Sequence, residues 1–449
     1  MSSRPRSPGN ASRRRFSAAA ATFVLCSACT APPPVAWEAE PWPAADALFQ
    51  RDRHWLGGDA VYSVDLGGDR ILWLFGDSFV ATSDRGDRRE AVMVRNSLAV
   101  QHGRNPALGS VSFHWRMDED GKPAPFFADE GGLGFWPLHG IRIAGGPLFL
   151  FQTRVRNTPG QGLGFSIDGW RLLCIDEPDA DPASWRWREV TLPTAPLPCV
   201  FGTAVWRDGD HVVALGTEGN GPHRGLLCRL LLAEMRRGSA SMQWWDGSRW
   251  MADATVRSFV LEDAGPECSL HRIGNTWLHV YSRGFGATTV AAHTAAEAAG
   301  PWSAPRDVVT PPESREETPF VYAAKAHPAL DVGPGWIAIS YATNSFDFAR
   351  LFSKSGQQGL YWPRFWRVRM RARPKRRGPR DGVSRGPRWV RSKKRRGDLA
   401  ASACPLTCPS SSRPSSGPCP SLRPWPSRRG SSSVQLPLLP WWDARRPPR

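Results

Sequence analysis

The chain of 449 residues lacks most of the short motifs by which a chemistry announces itself. It contains no G-x-x-x-x-G-K-[ST], no H-E-x-x-H and no EF-hand loop. Those absences remove the phosphate cradle, the zincin pair and the EF-hand calcium loop. Helical periodicity is also scarce. Almost nothing keeps a 3.6-residue repeat over three turns, and the main exception, Leu226–Arg237, reads as a strand followed by a helical turn. The apolar stretch Ala18–Ala28 is too short for a membrane helix, and no other segment reaches the roughly 18 apolar residues needed. Nine cysteines are present, yet Cys174, Cys199, Cys228 and Cys268 of the central region form no C-x-x-C pair. A metal framework is thereby excluded. Buried free thiols are expected, and a disulfide between two of them stays open for an exported chain.

Basic charge is abundant, but it sits at the ends. The formal net charge is +17, and the segment from Arg371 onward holds 20 Lys+Arg against only Asp381, Asp398 and Asp443. Residues 1–370 are therefore neutral. The first 30 residues carry five Arg and no acid, so what lies between is mildly acidic. A nucleic-acid partner is not expected, because the central region has no basic footprint.

The N-terminus reads as an export signal over residues 1–29. Arg4, Arg6 and Arg13–Arg15 form a charged region ahead of Ala18–Ala28, and Ser12-Arg13-Arg14-Arg15-Phe16 resembles the twin-arginine pattern. Cys29 after Ser27-Ala28 resembles a lipoprotein cleavage site, although Leu25 stands one place further back than that pattern has it. The expectation is an exported protein, periplasmic or at the cell surface, with anchoring through a lipidated Cys29 left open. The tail 371–449 is rich in Arg, Pro and Ser and lacks strand periodicity, a composition that predicts disorder.

Between these ends the pattern is β. His54–Val80 shows it best: two short runs joined by Gly67-Gly68-Asp69, with Gly57-Gly58-Asp59 before and Gly76-Asp77 after. This is hairpin chemistry, with a carboxylate at each outer end. About five units of this kind recur, near Gly58-Asp59, Trp136–Gly140, Phe201–Val205, Pro266–Leu270 and Ala326–Leu330. Each is followed by an inner hairpin such as GGPLFLFQT or GPGWIAISYAT. Repeated four-stranded units predict an all-β fold, a five-bladed β-propeller over residues 45–370. A β-sandwich also fits short strands at such spacing. The segments Pro182–Trp187 and Pro301–Pro305 read as outer-strand elements. Tyr361–Val368 reads as a last strand pairing beside the first blade.

In a propeller, the starts of inner strands converge on the central channel. The five unit starts supply Asp59, His139, Thr203, Glu267 and His327, with Asp77 and Asn96 placed near the same mouth and Trp136 able to stack on a sugar ring. Each has a plain structural alternative. An Asp after glycine caps its own turn, Glu267 after Gly265-Pro266 can be a solvated loop acid, and His327 before Pro328 can be a satisfied core histidine.

The segments WLGGDAVYSVDL, LWLFGDSF, FWPLHGI, FGTAVW, GPECSL and YAAKAHPALDV together resemble bacterial exported propeller proteins that are distantly similar to five-bladed glycoside hydrolases. Those are the arabinanase/xylosidase, invertase/levansucrase and anhydrogalactosidase groups. The resemblance covers about residues 50–370. It implies Asp59 as base or nucleophile, Glu267 in Glu267-Cys268 as acid, and Asp77 as a positional stand-in for the second Asp, since the Arg-Asp-Pro signature is missing. It implies His139 or His327 as a replacement acid or as holder of an ion-bound water. No cofactor is required, although a channel calcium ion has a place in such a fold. The function so implied is hydrolysis of glycosidic bonds in a polysaccharide or oligosaccharide, which needs paired carboxylates. A non-catalytic carbohydrate- or surface-binding propeller is the alternative.

Overall fold

The computed structural model of the protein describes residues 35–372, apart from 161–163, 194–198, 220–221 and 285–287. The expected signal 1–29 with Cys29 lies outside the described residues, as does the tail 371–449 beyond its first two positions. One unit spans residues 35–157 and 166–372. A second unit is described only at Thr158–Phe165, where the Thr158 N–H donates to the Gly164 carbonyl at 2.9 Å.

The first hairpin forms where its turn chemistry predicts. Tyr62–Gly67 pairs antiparallel with Arg70–Phe75. Gly68 and Asp69 take φ of 55° and 68°, as a two-residue type I′ turn demands. The two strands differ as their sequences do. Tyr62–Gly67 alternates between core and solvent, whereas Arg70–Phe75 is buried from Ile71 onward and so carries an unbroken apolar run.

The described chain is mostly strand. Five antiparallel sheets have four or more strands each. The first comprises Tyr62–Gly67, Arg70–Phe75, Ser97–His102 and Ser110–His114. The second comprises Leu133–Arg142, Leu148–Asn157, Phe165–Ile175 and Trp187–Glu189. The third opens with Cys199–Asp208, His211–Glu218 and Gly225–Leu231, and the last strand runs into the helix Leu232–Arg237 as expected. The fourth comprises Cys268–Ile273, Thr276–Arg283, Thr289–Ala295 and Arg306–Val309. The fifth comprises Pro319–His327, Ile337–Ser345, Arg364–Ala372 and, at its edge, Val35–Pro41. First strands neighbour one another: Leu133–Arg142 contacts Tyr62–Gly67 and Cys199–Asp208, and Cys268–Ile273 contacts Cys199–Asp208 and Pro319–His327.

Three boundaries differ from the sequence reading. The outer partner of Arg364–Ala372, on the side away from Ile337–Ser345, is Val35–Pro41, ahead of residue 45, and not a strand of the first sheet. Its Glu38 and Glu40 face Arg369 and Arg367, a charge match that carries the pairing although the strand has little apolar signal. That strand also continues through Arg371, past the expected start of the tail. Pro182–Ser184 is a 3-10 turn, and Pro301–Pro305 carries no strand, because proline removes ladder donors. The outer strands begin just after, at Trp187 and Arg306.

Aromatic packing anchors the N-terminal end. The helix Pro43–Phe49 buries Ala45, Leu48 and Phe49, and the Phe49 ring stacks on Phe365 at 5.3 Å and meets Trp73 edge-on at 5.0 Å. Each such ring contributes roughly 1.5–3 kcal/mol of apolar burial. Beside it, the buried Arg88 donates to the carbonyls of Leu56, Leu351, Gly356 and Leu360, and its guanidinium lies over the rings of Phe79 and Trp362. Cys174, Cys199, Cys228 and Cys268 are buried free thiols.

Candidate active site

Two Gly-Asp segments meet at the start of the first sheet. The Asp59 N–H donates to the Asp77 carbonyl at 3.2 Å, and the Gly76 N–H donates back to the Asp59 carbonyl at 3.1 Å. Glycine is needed on both sides. Gly76 leaves its missing Cβ position to the Asp59 carboxylate, and Gly57, at φ 117°, leaves room for the Tyr361 carbonyl. Either glycine replaced by alanine puts a methyl group into occupied space.

The carboxylates converge from segments far apart in the chain. Asp59 Oδ2 accepts from the Tyr322 hydroxyl at 2.8 Å and the Tyr361 hydroxyl at 3.2 Å. Asp77 Oδ1 accepts from the Trp136 indole N–H at 2.9 Å. Glu267 Oε2 accepts from Lys325 Nζ at 2.7 Å. Asp59, Asp77, Glu267, Trp136 and Tyr322 all keep partial exposure, while Tyr62, Lys325 and Tyr361 behind them are buried. The carboxylates thus line a recess with one wet side.

Electrostatics follows from that crowding. Burial, then Asp77, then Glu267 push Asp59 well above the ordinary carboxylate range, and the two tyrosine hydrogen bonds only partly oppose them. Asp77 is raised as well, chiefly by burial, against Arg95 and the Trp136 hydrogen bond. The counter-charge is Lys325, 1% exposed. Its ammonium has three hydrogens and three acceptors: the Ala60 carbonyl at 2.6 Å, Glu267 and the Ala323 carbonyl at 3.0 Å. The Tyr62 ring lies 4.1 Å from it, a cation–π contact.

Backbone strain gathers at the same place. Six non-glycine residues among those described have positive φ, and four of them, Ala60, Val61, Ala323 and Tyr361, adjoin these groups. A β-branched residue at φ 57°, as Val61 is, costs energy that the surrounding structure must offset. Register shifts between Pro137 and Gly140, Phe201 and Ala204, and Tyr322 and Lys325 recur in three inner hairpins. Bulges of this kind re-aim side chains, here His139, Thr203 and the Ala323–Lys325 stretch.

The predicted residues separate into two groups. Asp59, Asp77, Glu267 and Trp136 share the recess, but Trp136 uses its indole N–H on Asp77. His139 and His327 do not reach it. They line a small cavity of about 10 Å³ with Tyr62, Ser63, Ser269, His271, Lys325 and Ala326, room for about one water. His327 bonds the Ser63 and Ser340 hydroxyls, each at 2.7 Å, and His139 Nδ1 accepts from the Val205 N–H at 3.0 Å. Burial first holds all three imidazoles neutral, His139 down to about 3, His271 to about 4 and His327 well below its usual value. These residues do not fit a channel calcium ion, which takes six to eight oxygen ligands; the lining has no carboxylate and includes an ammonium. Asn96 lines no mouth either. It is fully buried, and its amide bonds the backbone of Phe127 and Phe135. Thr203 is buried with its hydroxyl on the Leu215 carbonyl.

Comparison with known proteins places the chain. A family model described as "Domain of unknown function (DUF5005)" matches residues 44–374. Nothing among curated proteins matches. A structure from Bacteroides ovatus ATCC 8483, described as a "putative hydrolase", is similar at TM-score 0.60 and 20% identity, over 74% of this chain and 90% of that one. The catalytic domain of a GH62 α-L-arabinofuranosidase from Coprinopsis cinerea is similar at TM-score 0.41 and 11% identity, over 75% and 97% of the two chains. A xylan β-1,4-xylosidase from Bacillus halodurans C-125 gives 0.40 and 11%, over 66% and 50%. At these identities the likeness is one of fold.

Proposed function

For a chain that belongs to the DUF5005 family, we propose a hydrolase of glycosidic bonds in a polysaccharide or oligosaccharide, working in the recess of Asp59, Asp77 and Glu267. One observation carries the reading: carboxylates from opposite parts of the sequence share one wet recess, and two of them have raised proton affinity. Glycosidic cleavage uses one carboxyl that donates a proton and one carboxylate that acts as base or nucleophile. Raising one acid above the rest is how a site holds both forms near neutral pH. The half-exposed Trp136 on the Asp77 side and the Tyr322 ring on the Asp59 side offer apolar faces to a sugar.

The roles differ from those the resemblance implies. The proton belongs to the Asp59–Asp77 pair, whose mutual repulsion favours keeping one, while Glu267 beside the Lys325 ammonium is the base or nucleophile. The five sheets are the blades of a propeller. Contacts of Lys325 and His327 with Ala60 and Ser63 bring the fifth sheet to the first, and Val35–Pro41 fills the outer place of the last blade. The charged start and the Cys29 context make this an exported protein, and signal cleavage with fatty-acid labelling at Cys29 checks that part.

A panel of aryl glycosides and plant or algal oligosaccharides tests the reading. Turnover should fall by orders of magnitude in Asp59→Asn and in Glu267→Gln. Asp77→Asn should move the alkaline limb of the pH–rate profile downward, because removing that charge lowers the proton affinity of Asp59. Saturable sugar binding with no turnover in the parent protein would instead establish the binding propeller, and full turnover in both variants would overturn the assignment.

A further inference from the structure

Asp59 is held by backbone on one side and by two phenols on the other. Its N–H donates to the Asp77 carbonyl, and its own carbonyl accepts from Val61 at 2.8 Å and Gly76 at 3.1 Å. The carboxyl group is then fixed through a single oxygen. Tyr322 and Tyr361 both donate to Oδ2, at 2.8 and 3.2 Å. Oδ1 lies over Gly76 instead, where a Cβ would stand 2.4 Å from it.

One of the two phenols is strained into place. Tyr361 has a φ of 65°, a costly conformation for so bulky a residue. Its N–H on Thr343 Oγ1 at 3.1 Å, its carbonyl against Gly57 and its ring edge-on to Phe79 at 5.2 Å hold it there. Strain of this kind persists only where the surroundings over-determine it, and it gathers at working sites. Tyr361 is 1% exposed, so its hydroxyl stands behind Asp59 and does not meet a substrate.

The surrounding charges set the state of these groups. Asp77, Glu267 and the Lys325 ammonium face Asp59, and Arg88 stands behind Tyr361. Burial raises both phenols well above their ordinary range, so each keeps its hydrogen and donates it. Asp77 has the Arg95 charge to support its ionised form, whereas burial and the charges of Asp77 and Glu267 all favour neutral Asp59. The proton of the pair therefore belongs on Asp59. A carboxyl oxygen has two lone pairs, and both of those on Oδ2 are taken by phenolic hydrogens.

We propose that Tyr361, with Tyr322, is a positioning residue that reserves Oδ2 of Asp59 for accepting hydrogen bonds, so that Oδ1 carries the proton and delivers it. The delivery rests on the glycosidic reading above; the choice of oxygen does not. In the delivery the Oδ1–H bond breaks, its hydrogen passes to the departing glycosidic oxygen, and its electron pair stays on Asp59. The attacking water supplies, directly or through Glu267, the proton that restores the acid. As charge grows on the carboxylate, the two phenolic bonds become charge-assisted and strengthen. They are stronger in the transition state than before it, which is how an interaction accelerates a step.

The full chain tests this in two ways. In neutron diffraction from deuterated crystals, on the acid side of the Asp59 titration, the deuteron of the carboxyl pair should lie on Asp59 Oδ1. A deuteron on Oδ2, or on Asp77, overturns the proposal. In pH-difference infrared spectra, the protonated-carboxyl band that Asp59→Asn removes should titrate about one pH unit higher in Tyr361→Phe and in Tyr322→Phe. The sign follows because each phenol stabilises the charged form. With a substrate that the parent turns over, Tyr361→Phe should move the alkaline limb of the pH–rate profile up by the same amount, opposite to Asp77→Asn. It should also lower kcat about tenfold with KM unchanged. A packing role alone would leave the limb where it is. A band midpoint that stays or falls in both Phe variants overturns the proposal. A parent that shows the deuteron and the band shift but cleaves no glycoside refutes the hydrolase reading, while the oxygen assignment stands. If neither Phe variant folds, the neutron map of the parent decides.

Discussion

Two buried cations, each 1% exposed, do different work in this molecule. Arg88 gives its guanidinium hydrogens to backbone carbonyls and lies over two aromatic rings. No carboxylate appears among these partners. Lys325 likewise bonds two carbonyls but turns its third hydrogen to Glu267, at the edge of a wet recess. The first arrangement ties the segment around Leu56 to the turns Phe348–Phe352 and Lys354–Gly359. The second sets the position of a carboxylate. A buried cation bonded only to backbone marks assembly, and one that shares its hydrogens with an acid at a solvent boundary marks chemistry.

Replacing each cation by methionine separates the two roles. Arg88→Met strands four buried carbonyls, each losing a charge-assisted bond of about 1.5–3 kcal/mol before relaxation. Destabilisation on the order of 5 kcal/mol is expected, read as a large drop in the denaturation midpoint or loss of soluble protein. A variant within 1 kcal/mol of the parent, on the order of a surface change, would dissolve the contrast. Lys325→Met should cost less stability, since Glu267 keeps contact with water. Its main effect should be a fall in kcat of about a hundredfold with KM nearly unchanged, as expected when a reacting group is misplaced. A fall in stability with kcat preserved would move Lys325 into the same class as Arg88.

The sequence made the first hairpin legible because Gly68-Asp69 and the apolar run of Arg70–Phe75 are local signals. Asp59, Asp77 and Glu267 stood out because glycine or proline precedes each. Lys325 was missed, although a lone lysine inside the apolar strand Pro319–His327 is itself a signal. Tyrosine was a second overlooked one. The chain has 22 Trp and 20 Phe but 5 Tyr, so packing rests on the former. Tyr322 and Tyr361 bond Asp59, Tyr341 bonds Glu313, Tyr62 faces Lys325, and Tyr281 stacks on His279. The partners of Asn96, His139 and His327 were not legible, because register and bulges, not residue type, decide which way a side chain points.

The smallest effect concerns a carboxylate remote from the recess. Asp46 on the helix Pro43–Phe49 accepts from the Phe365 N–H at 2.7 Å and lies 3.4 Å from Arg364, which also approaches Glu313 at 3.5 Å. Burial, the largest cause, raises its pKa to about 6, with the Glu313 charge adding to it and the Phe365 and Arg364 contacts opposing. The folded protein therefore binds this proton more tightly than the unfolded chain does. Its stabilising contribution is complete below about pH 4 and is lost as pH rises through about 6. Asparagine stays neutral throughout and keeps the acceptor for Phe365. The melting temperature of Asp46→Asn, taken relative to the parent, should rise between about pH 4 and pH 6 and be level above, by an amount corresponding to about 1–2 kcal/mol. A difference that is flat across that window, or that falls, would show that Arg364 holds Asp46 ionised in the native state. The carboxylate would then be a simple ion-pair latch of the helix, with the opposite dependence on pH.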